Sequence, residues 1–298
     1  MAGSEDQVRL VIDGVGPQRD MSVFKRGRPD AGLLASVVLL LVLVGCSLFA
    51  GILPMPDPAQ QSLPLRLSAP ALDQGHLLGT DQLGRDVLSR IVYGARVSLI
   101  VAAASVLIAG TVGVLLGAVA GYYGGWIDDV VSWLINVFLA FPFVLLALAV
   151  VAILGPGLIN IIIVLGLTSW VAYARVIRSQ VLSLRERDFI QAVRALGGRD
   201  DRIVLRHIIP NTLAPLIVIA TFEMARMIIM ESALSFLGLG VEPSLPSWGN
   251  MLADGRSYLA IAWWIATFPG FAIMLTVLSI NILGDWLRTQ FDPKAARM

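Results

Sequence analysis

Residues 31–53 read AGLLASVVLLLVLVGCSLFAGIL, without one charged side chain, and Pro54 closes the run. A bilayer core about 30 Å thick takes about 20 apolar residues to cross as a helix, so this run reads as a membrane span. Leu43-Val44-Gly45-Cys46 has the look of a lipoprotein cleavage box. The run continues past it, however, and exceeds the roughly 7–15 apolar residues of a secretory signal. It reads as an uncut anchor, with Cys46 a small packing residue. Working outward, further runs of the same kind occupy 97–120, 130–154, 158–174, 212–237 and 259–284. The fifth span, 212–237, carries Glu223, Arg226 and Glu231 inside it. The sequence thus predicts an all-α integral membrane protein with six transmembrane helices.

Composition agrees. Of 298 residues, 57% are hydrophobic and 14% charged, where a soluble domain carries about 25% charged residues. The net charge of +1 gives no reason to expect nucleic acid as a partner. Cys46 is the single cysteine, which excludes an internal disulfide and any Cys-based zinc or iron–sulfur site. The two lysines, Lys25 and Lys294, follow Phe24 and Pro293, so neither lies in a G-x-x-x-x-G-K-[ST] phosphate loop. No nucleophile–base pair or metal-ligand set appears, so no enzyme activity, metal or cofactor is expected on this chain. If ATP and Mg drive it, other subunits bind them.

Orientation follows from where Lys and Arg collect. The tail 1–30 holds Arg9, Arg19, Lys25, Arg26 and Arg28, and eight arginines lie between Arg175 and Arg206. Arg288, Lys294 and Arg297 lie near the C-terminus. With six spans these regions share one side, the cytoplasm, although the external loop 54–96 mildly opposes the rule with four arginines of its own. Small residues at Ser105, Ala109, Gly113, Gly117 and Gly121 recur every fourth position and line one helix face. Such a face lets another backbone approach closely, either as static packing or as an interface that moves. Pro142 and Pro269 are expected to break the hydrogen-bond ladders of the third and sixth spans.

Residues 187–211 read RDFIQAVRALGGRDDRIVLRHIIPN. Positions 188–196 form a short amphipathic helix, and Gly197-Gly198 supply the turn that ends it. Asp200 is placed to cap a second short helix that runs to His207 and stops before Pro210. The segment resembles the "EAA" loop, E-A-A-x3-G-x9-I-x-L-P, of binding-protein-dependent ABC importers. Gly197 and Pro210 keep its spacing, while Gln191 stands for Glu, Val193 for the second Ala, and His207 and Ile209 for Ile and Leu. Residues 76–90, HLLGTDQLGRDVLSR, are similar to the H-x-L-G-T-D-x-x-G-R-D-x-x-S-R signature of the dipeptide/oligopeptide permease group. Further shared blocks are 234–240 with 246–249, and 281–285 with Leu287, Arg288, Asp292 and Pro293. The resemblance covers about residues 22–298 and points to the C-type permease of that group, which also includes nickel and glutathione systems.

The resemblance implies a type I importer core of five helices within 97–298, preceded by the helix 31–53, in a bacterial inner membrane. It implies a second homologous permease subunit, two cytoplasmic ATPase subunits and an extracytoplasmic solute-binding protein. The segment 178–210 becomes the coupling element, with Gln191, Ala192, Val193, Arg194, Leu196, Gly197 and Pro210 at the ATPase. The substrate it implies is a di- or oligopeptide, with nickel chelates, glutathione or another small solute as alternatives.

Other residues carry weaker signals. His76, Asp81, Arg85 and Asp86 belong to a loop that caps the external face or meets the binding protein, with Asp81 and Asp86 pairing locally with arginines. Glu223 and Arg226, three positions apart on one helix face, are expected to form an ion pair. With Glu231 they are candidates for the translocation path, or for a structural pair between subunits. Trp263 and Trp264 read as aromatic anchors at the membrane interface. An anionic-lipid surface for the arginine-rich helix, a secondary transporter and a non-transporting scaffold are the rival readings.

Overall fold

The computed structural model describes residues 30–71 and 75–291. The basic tail up to residue 29, Lys294, Arg297 and the Asp292-Pro293 part of the last shared block lie outside the described residues. In chain order the first elements are α1 (Ala31–Leu48), α2 (Val87–Tyr123), α3 (Gly125–Ala140) and α4 (Phe143–Leu154). Next come α5 (Leu158–Arg185), α6 (Asp188–Ala195), α7 (Asp200–Ile203) and, beyond a π-helical turn at Val204–Ile208, α8 (Ile209–Asn211). The chain closes with α9 (Leu213–Phe236), α10 (Trp248–Gly255) and α11 (Trp264–Phe291). Among the described residues five helices, α1, α2, α5, α9 and α11, are long and apolar enough to cross a membrane. The third expected span is the pair α3 and α4, bent by 88°, which makes a sixth crossing when the pair is taken as one span.

Helix boundaries depart from the apolar runs where capping decides them. α2 starts at Val87 instead of 97 because Asp86 caps it, its carboxylate accepting the Ser89 N–H at 2.7 Å. α5 continues past 174 to Arg185, carrying polar residues beyond its apolar stretch. Pro142 takes the N-cap place of α4, so the third span bends there into two helices instead of one. Pro269 does not break α11, which runs through it to Phe291. At the sixth position of the helix it removes one ladder bond, the one an N–H there would make to the Ile265 carbonyl, and the helix carries on past it.

α2 and α5 form the most extensive helix pair. All five small residues of the stripe are buried on the face of α2 turned to α5. A methyl group on Gly113 would lie 2.6 Å from the Trp170 carbonyl oxygen, and one on Gly117 2.5 Å from that of Ala174. Ser105 adds a hydrogen bond to the Ile162 carbonyl at 3.2 Å. At the arginine-rich end, Arg178 of α5 holds Asp128 of α3 through two hydrogen bonds, Nη2 to Oδ2 at 2.6 Å. Arg185 Nη1 reaches the Gly121 carbonyl at 3.0 Å. α1 packs against one side of the bundle and leaves apolar side chains such as Leu41 (67% exposed) outward, as a helix in lipid does.

The opposite end of the bundle is closed by the loop before α2. Asp81 is fully buried and accepts from Arg85 Nε at 2.6 Å and from Arg90 Nη1. Both arginines also donate to Asp254 of α10, at 3.2 and 3.0 Å. Asp86 pairs with His76 at 2.9 Å while capping α2. Trp264 donates its indole N–H to the Thr80 carbonyl at 3.1 Å. Trp264 is therefore a buried fastener of this loop, and only Trp263, 51% exposed, remains at an outer surface. The side chain that sequence reading took for an anchor is drawn inward because its polar edge finds a carbonyl there.

Four substitutions test this packing by thermal unfolding in detergent. Gly117→Ala places a methyl against backbone that cannot yield and should destabilise the chain by about 1–3 kcal/mol. Gly110→Ala, with its nearest neighbour 3.6 Å away, should leave the midpoint nearly unchanged. Asp81→Asn leaves the buried Arg90 facing a neutral amide and should cost about 3 kcal/mol. Asp254→Asn should cost less, because the Asp254 side chain is 32% exposed.

Candidate coupling segment and intramembrane charges

The chain leaves α5 at Glu186, and the extended Arg187 leads into α6. Asp188 in the first turn and Arg194 in the last complement the helix dipole. The inner face of α6 is set by Ile190, fully buried in a cluster with Ala118 and Tyr122 of α2, Ile177 and Val181 of α5, and Ile203 and Ile208. Val193 packs half-buried against the same cluster. Gln191, Ala192, Arg194 and Leu196 face outward, Leu196 with 88% of its surface exposed. Gln191 Nε2 turns back to cap the Arg185 carbonyl at 2.9 Å.

The turn after α6 is a Schellman motif. Gly198 N–H bonds to the Val193 carbonyl and Gly197 N–H to that of Arg194, both at 3.0 Å. Gly197 has φ +79°, a conformation that glycine alone adopts without strain. A side chain on Gly198 would collide with the Val193 carbonyl oxygen at 2.8 Å. Beyond the turn the expected cap is displaced. Arg199 holds the N-cap position and Asp200 is the first helical residue. The Asp200 carboxylate instead accepts from the Tyr122 hydroxyl at 2.5 Å.

The second helix also does not stop before Pro210. It widens into the π-helical turn Val204–Ile208 and continues through α8, which contains Pro210. The proline ring would clash with the carbonyl four residues earlier, and the wider turn relieves that contact. Pro210 itself is exposed.

Tyr122 is the residue that sequence reading missed. Its ring lies under Arg194 at 5.3 Å and its hydroxyl holds Asp200, so the end of α2 clamps both short helices. An aromatic residue one step past the last glycine of the stripe was the available signal. Arg199 and Asp201 pair at 3.0 Å on the surface, and Arg199 holds the Asp201 carboxyl below its ordinary range. A groove of about 420 Å³ opens beside the turn, with Val193, Leu196 and Ile203 among its apolar lining and Arg202, Arg206 and His207 among its polar lining.

The remaining candidates separate into three places. His76, Asp81, Arg85 and Asp86 belong to the fastened loop, and Asp81 turns to the arginines and away from His76. Glu223 and Arg226 form the expected pair, Nε and Nη2 donating to Glu223 Oε2 at 3.0 and 2.8 Å. Glu231 lies elsewhere, fully buried, accepting from Ser98 of α2 at 3.0 Å and Ser235 at 2.8 Å. In this conformation Glu231 ties α9 to α2 and has no surface open to a pathway.

Comparison with known proteins places this architecture. Residues 113–297 match the model of the family described as "Binding-protein-dependent transport system inner membrane component". The dipeptide transport system permease protein DppC of Alkalihalophilus pseudofirmus is 43% identical over 280 residues, covering 94% of this chain and 91% of its own. The di/tripeptide transport system permease protein DppC of Pseudomonas aeruginosa is 43% identical over 89% of each chain. The glutathione transport system permease protein GsiD of Pectobacterium atrosepticum is 40% identical over 88% of this chain and 86% of its own. Among solved structures, a chain of the inward-facing MetNI methionine ABC transporter shares the fold, with TM-score 0.56 and 21% identity. It covers 69% of this chain and 98% of the other. The chain belongs to the family of binding-protein-dependent transport system inner membrane components.

Proposed function

We propose that this chain is one permease half of an ATP-driven importer of di- or oligopeptides. A second, homologous permease subunit completes the pathway, and an extracytoplasmic solute-binding protein delivers substrate to the end closed by the loop before α2. Two cytoplasmic ATPases, which hold ATP and Mg, dock at the arginine-rich end. Both termini then lie in the cytoplasm of a bacterium, with membrane lipid around the apolar helices.

The observation that carries this reading is the construction of α6. One face is anchored to α2 and α5 through Ile190 and the Tyr122–Arg194 clamp, and the other presents Ala192 and Leu196 to an outside partner. A surface helix resting on lipid needs no such fastening to two long helices. A helix that transmits force does, because movement of an ATPase must reach the spans without being absorbed in the loop. Gln191 offers no carboxylate to the ATPase. Its amide serves the end of α5 instead, so apolar Leu196 and the adjoining groove form the main contact. The names of the relatives support peptides as substrate, and glutathione, itself a small peptide, belongs to the same chemical class.

Affinity purification of the tagged chain in mild detergent, expressed with its native neighbours, tests the assembly. The expected companions are one similar permease and two phosphate-loop ATPases. Purification alone, or as a homo-oligomer without an ATPase, would sink the reading and favour a secondary transporter. Within the assembly, Gly197→Val forces a branched side chain into the left-handed region, at a cost of about 1–2 kcal/mol. It should lower ATPase recovery and uptake while the amount of membrane-inserted chain stays unchanged. Gly197→Asn should be milder, because asparagine tolerates that conformation. Normal assembly and uptake of Gly197→Val would remove the turn from the coupling path.

A further inference from the structure

Glu223 and Arg226 stand near the middle of α9, about 15–20 Å from either end at 1.5 Å per residue. Arg226 uses Nε and Nη2 on a single oxygen, Glu223 Oε2. Among the described residues neither Arg226 Nη1 nor Glu223 Oε1 has a further hydrogen-bond partner. The guanidinium also lies 4.6 Å from the ring centre of Phe143, the first residue of α4 at the break in the bent pair. The Arg226 side chain is 35% exposed and that of Glu223 11%. A cation at mid-bilayer depth faces protein or a water-filled cavity, not lipid, so the open side of this pair looks into the pathway or its partner subunit.

A third group belongs to the same neighbourhood. Among the described residues the buried Tyr173 hydroxyl of α5 lacks a hydrogen-bond partner, and α5 meets α9 one turn away, where Ser169 Oγ lies 3.8 Å from Met227 Sδ. A buried hydroxyl left unpaired is a standing cost of about 1–3 kcal/mol, which calls for a use. The unused groups are a guanidinium N–H, a phenol O–H and one carboxylate oxygen. Two are donors and one is an acceptor, so the cluster is short of an acceptor that can approach from the open side.

We propose that the Glu223–Arg226 pair is a substrate contact of the pathway, in which Arg226 receives the carboxylate of a passing peptide while the Tyr173 hydroxyl takes over Glu223. In the empty state the two charges neutralise each other. When a peptide carboxylate arrives, Arg226 turns its fork to it, and Glu223 is kept satisfied by the spare donor. The pair thus exchanges one carboxylate for another, and the Glu223 carboxylate, no longer ion-paired, keeps a hydrogen bond from the Tyr173 hydroxyl. The substrate part of this inference rests on the importer reading above.

The test uses the complete complex in proteoliposomes with peptide-loaded binding protein, reading peptide uptake and ATP hydrolysis in parallel. Arg226→Met should lower uptake about tenfold, the loss expected for a charge-assisted hydrogen bond, while hydrolysis stays near wild type. Arg226→Lys should recover part of the uptake. Tyr173→Phe, which removes one oxygen and no packing volume of consequence, should lower uptake about tenfold through loss of the hydrogen bond to the Glu223 carboxylate, again without loss of hydrolysis. Unchanged uptake in Tyr173→Phe and Arg226→Met would overturn the proposal. Loss of uptake, hydrolysis and assembly together in Arg226→Met, with Tyr173→Phe unaffected, would overturn it in favour of a structural pair between subunits. Absence of binding-protein-stimulated hydrolysis in the wild type would instead overturn the importer reading on which the substrate assignment rests.

Discussion

The structure depends on the approach of two backbones. Gly113, Gly117 and Gly121 let α2 come so close to α5 that any side chain at these positions would meet backbone or side-chain atoms at 2.5–2.9 Å. Further along the pair, Gly166 of α5 makes the reciprocal approach to Ile108, 2.8 Å from where a methyl would stand. In lipid there is no hydrophobic gain in bringing apolar helices together, so contact of this quality, with many dispersion pairs, is what holds them. The two helices thereby act as one strut. Its opposite ends carry the two pieces of built structure outside the spans, the ion-paired loop before α2 and the short helices after α5.

Under the proposed docking of an ATPase on α6, that arrangement would carry its movement to the spans. A force on Leu196 or Arg194 is passed to Ile190 and Tyr122, both buried, and from them to the glycine-packed pair. At the far end Arg90, a residue of α2 itself, is locked to Asp81 and Asp254. The loop therefore follows α2 and cannot slide over it. The polar groups inside the bundle are mostly satisfied by neighbours on other helices, as Glu231 is by Ser98. Among the described residues of the spans, hydrogen-bonding capacity remains unspent around Tyr173, Glu223 and Arg226, at the depth of the membrane centre.

Much of this was legible from residues alone because the controlling signals are local. Charge-free runs mark the spans, a four-residue repeat marks the α2 face, and Gly197-Gly198 marks the turn of α6. The i,i+3 spacing of Glu223 and Arg226 specifies their pair. What escaped was set by capping and by distant partners. Asp86 extends α2 well beyond its apolar run, and Asp200 is taken from the expected cap by Tyr122, far away in sequence. Asp254 joins Arg85 and Arg90 across more than half the chain, and no spacing rule announces such a contact. Pro142 and Pro269 carry the same local rule but different outcomes. One stands at a bend between two helices, and the other lies inside a helix that gives up one ladder bond and continues.

The central claim is that α6 is the point where an ATPase grips this chain, and site-directed cross-linking tests it most directly. Cys46 is the single native cysteine, so a Cys46→Ser background carrying Leu196→Cys places one thiol at a position whose native side chain is 88% exposed. In membranes containing the complete complex, a short bifunctional reagent should join this thiol to one ATPase subunit. The yield should change between nucleotide-free and ATP-bound states. Adducts with lipid alone, or no ATPase adduct in either state, would contradict the account.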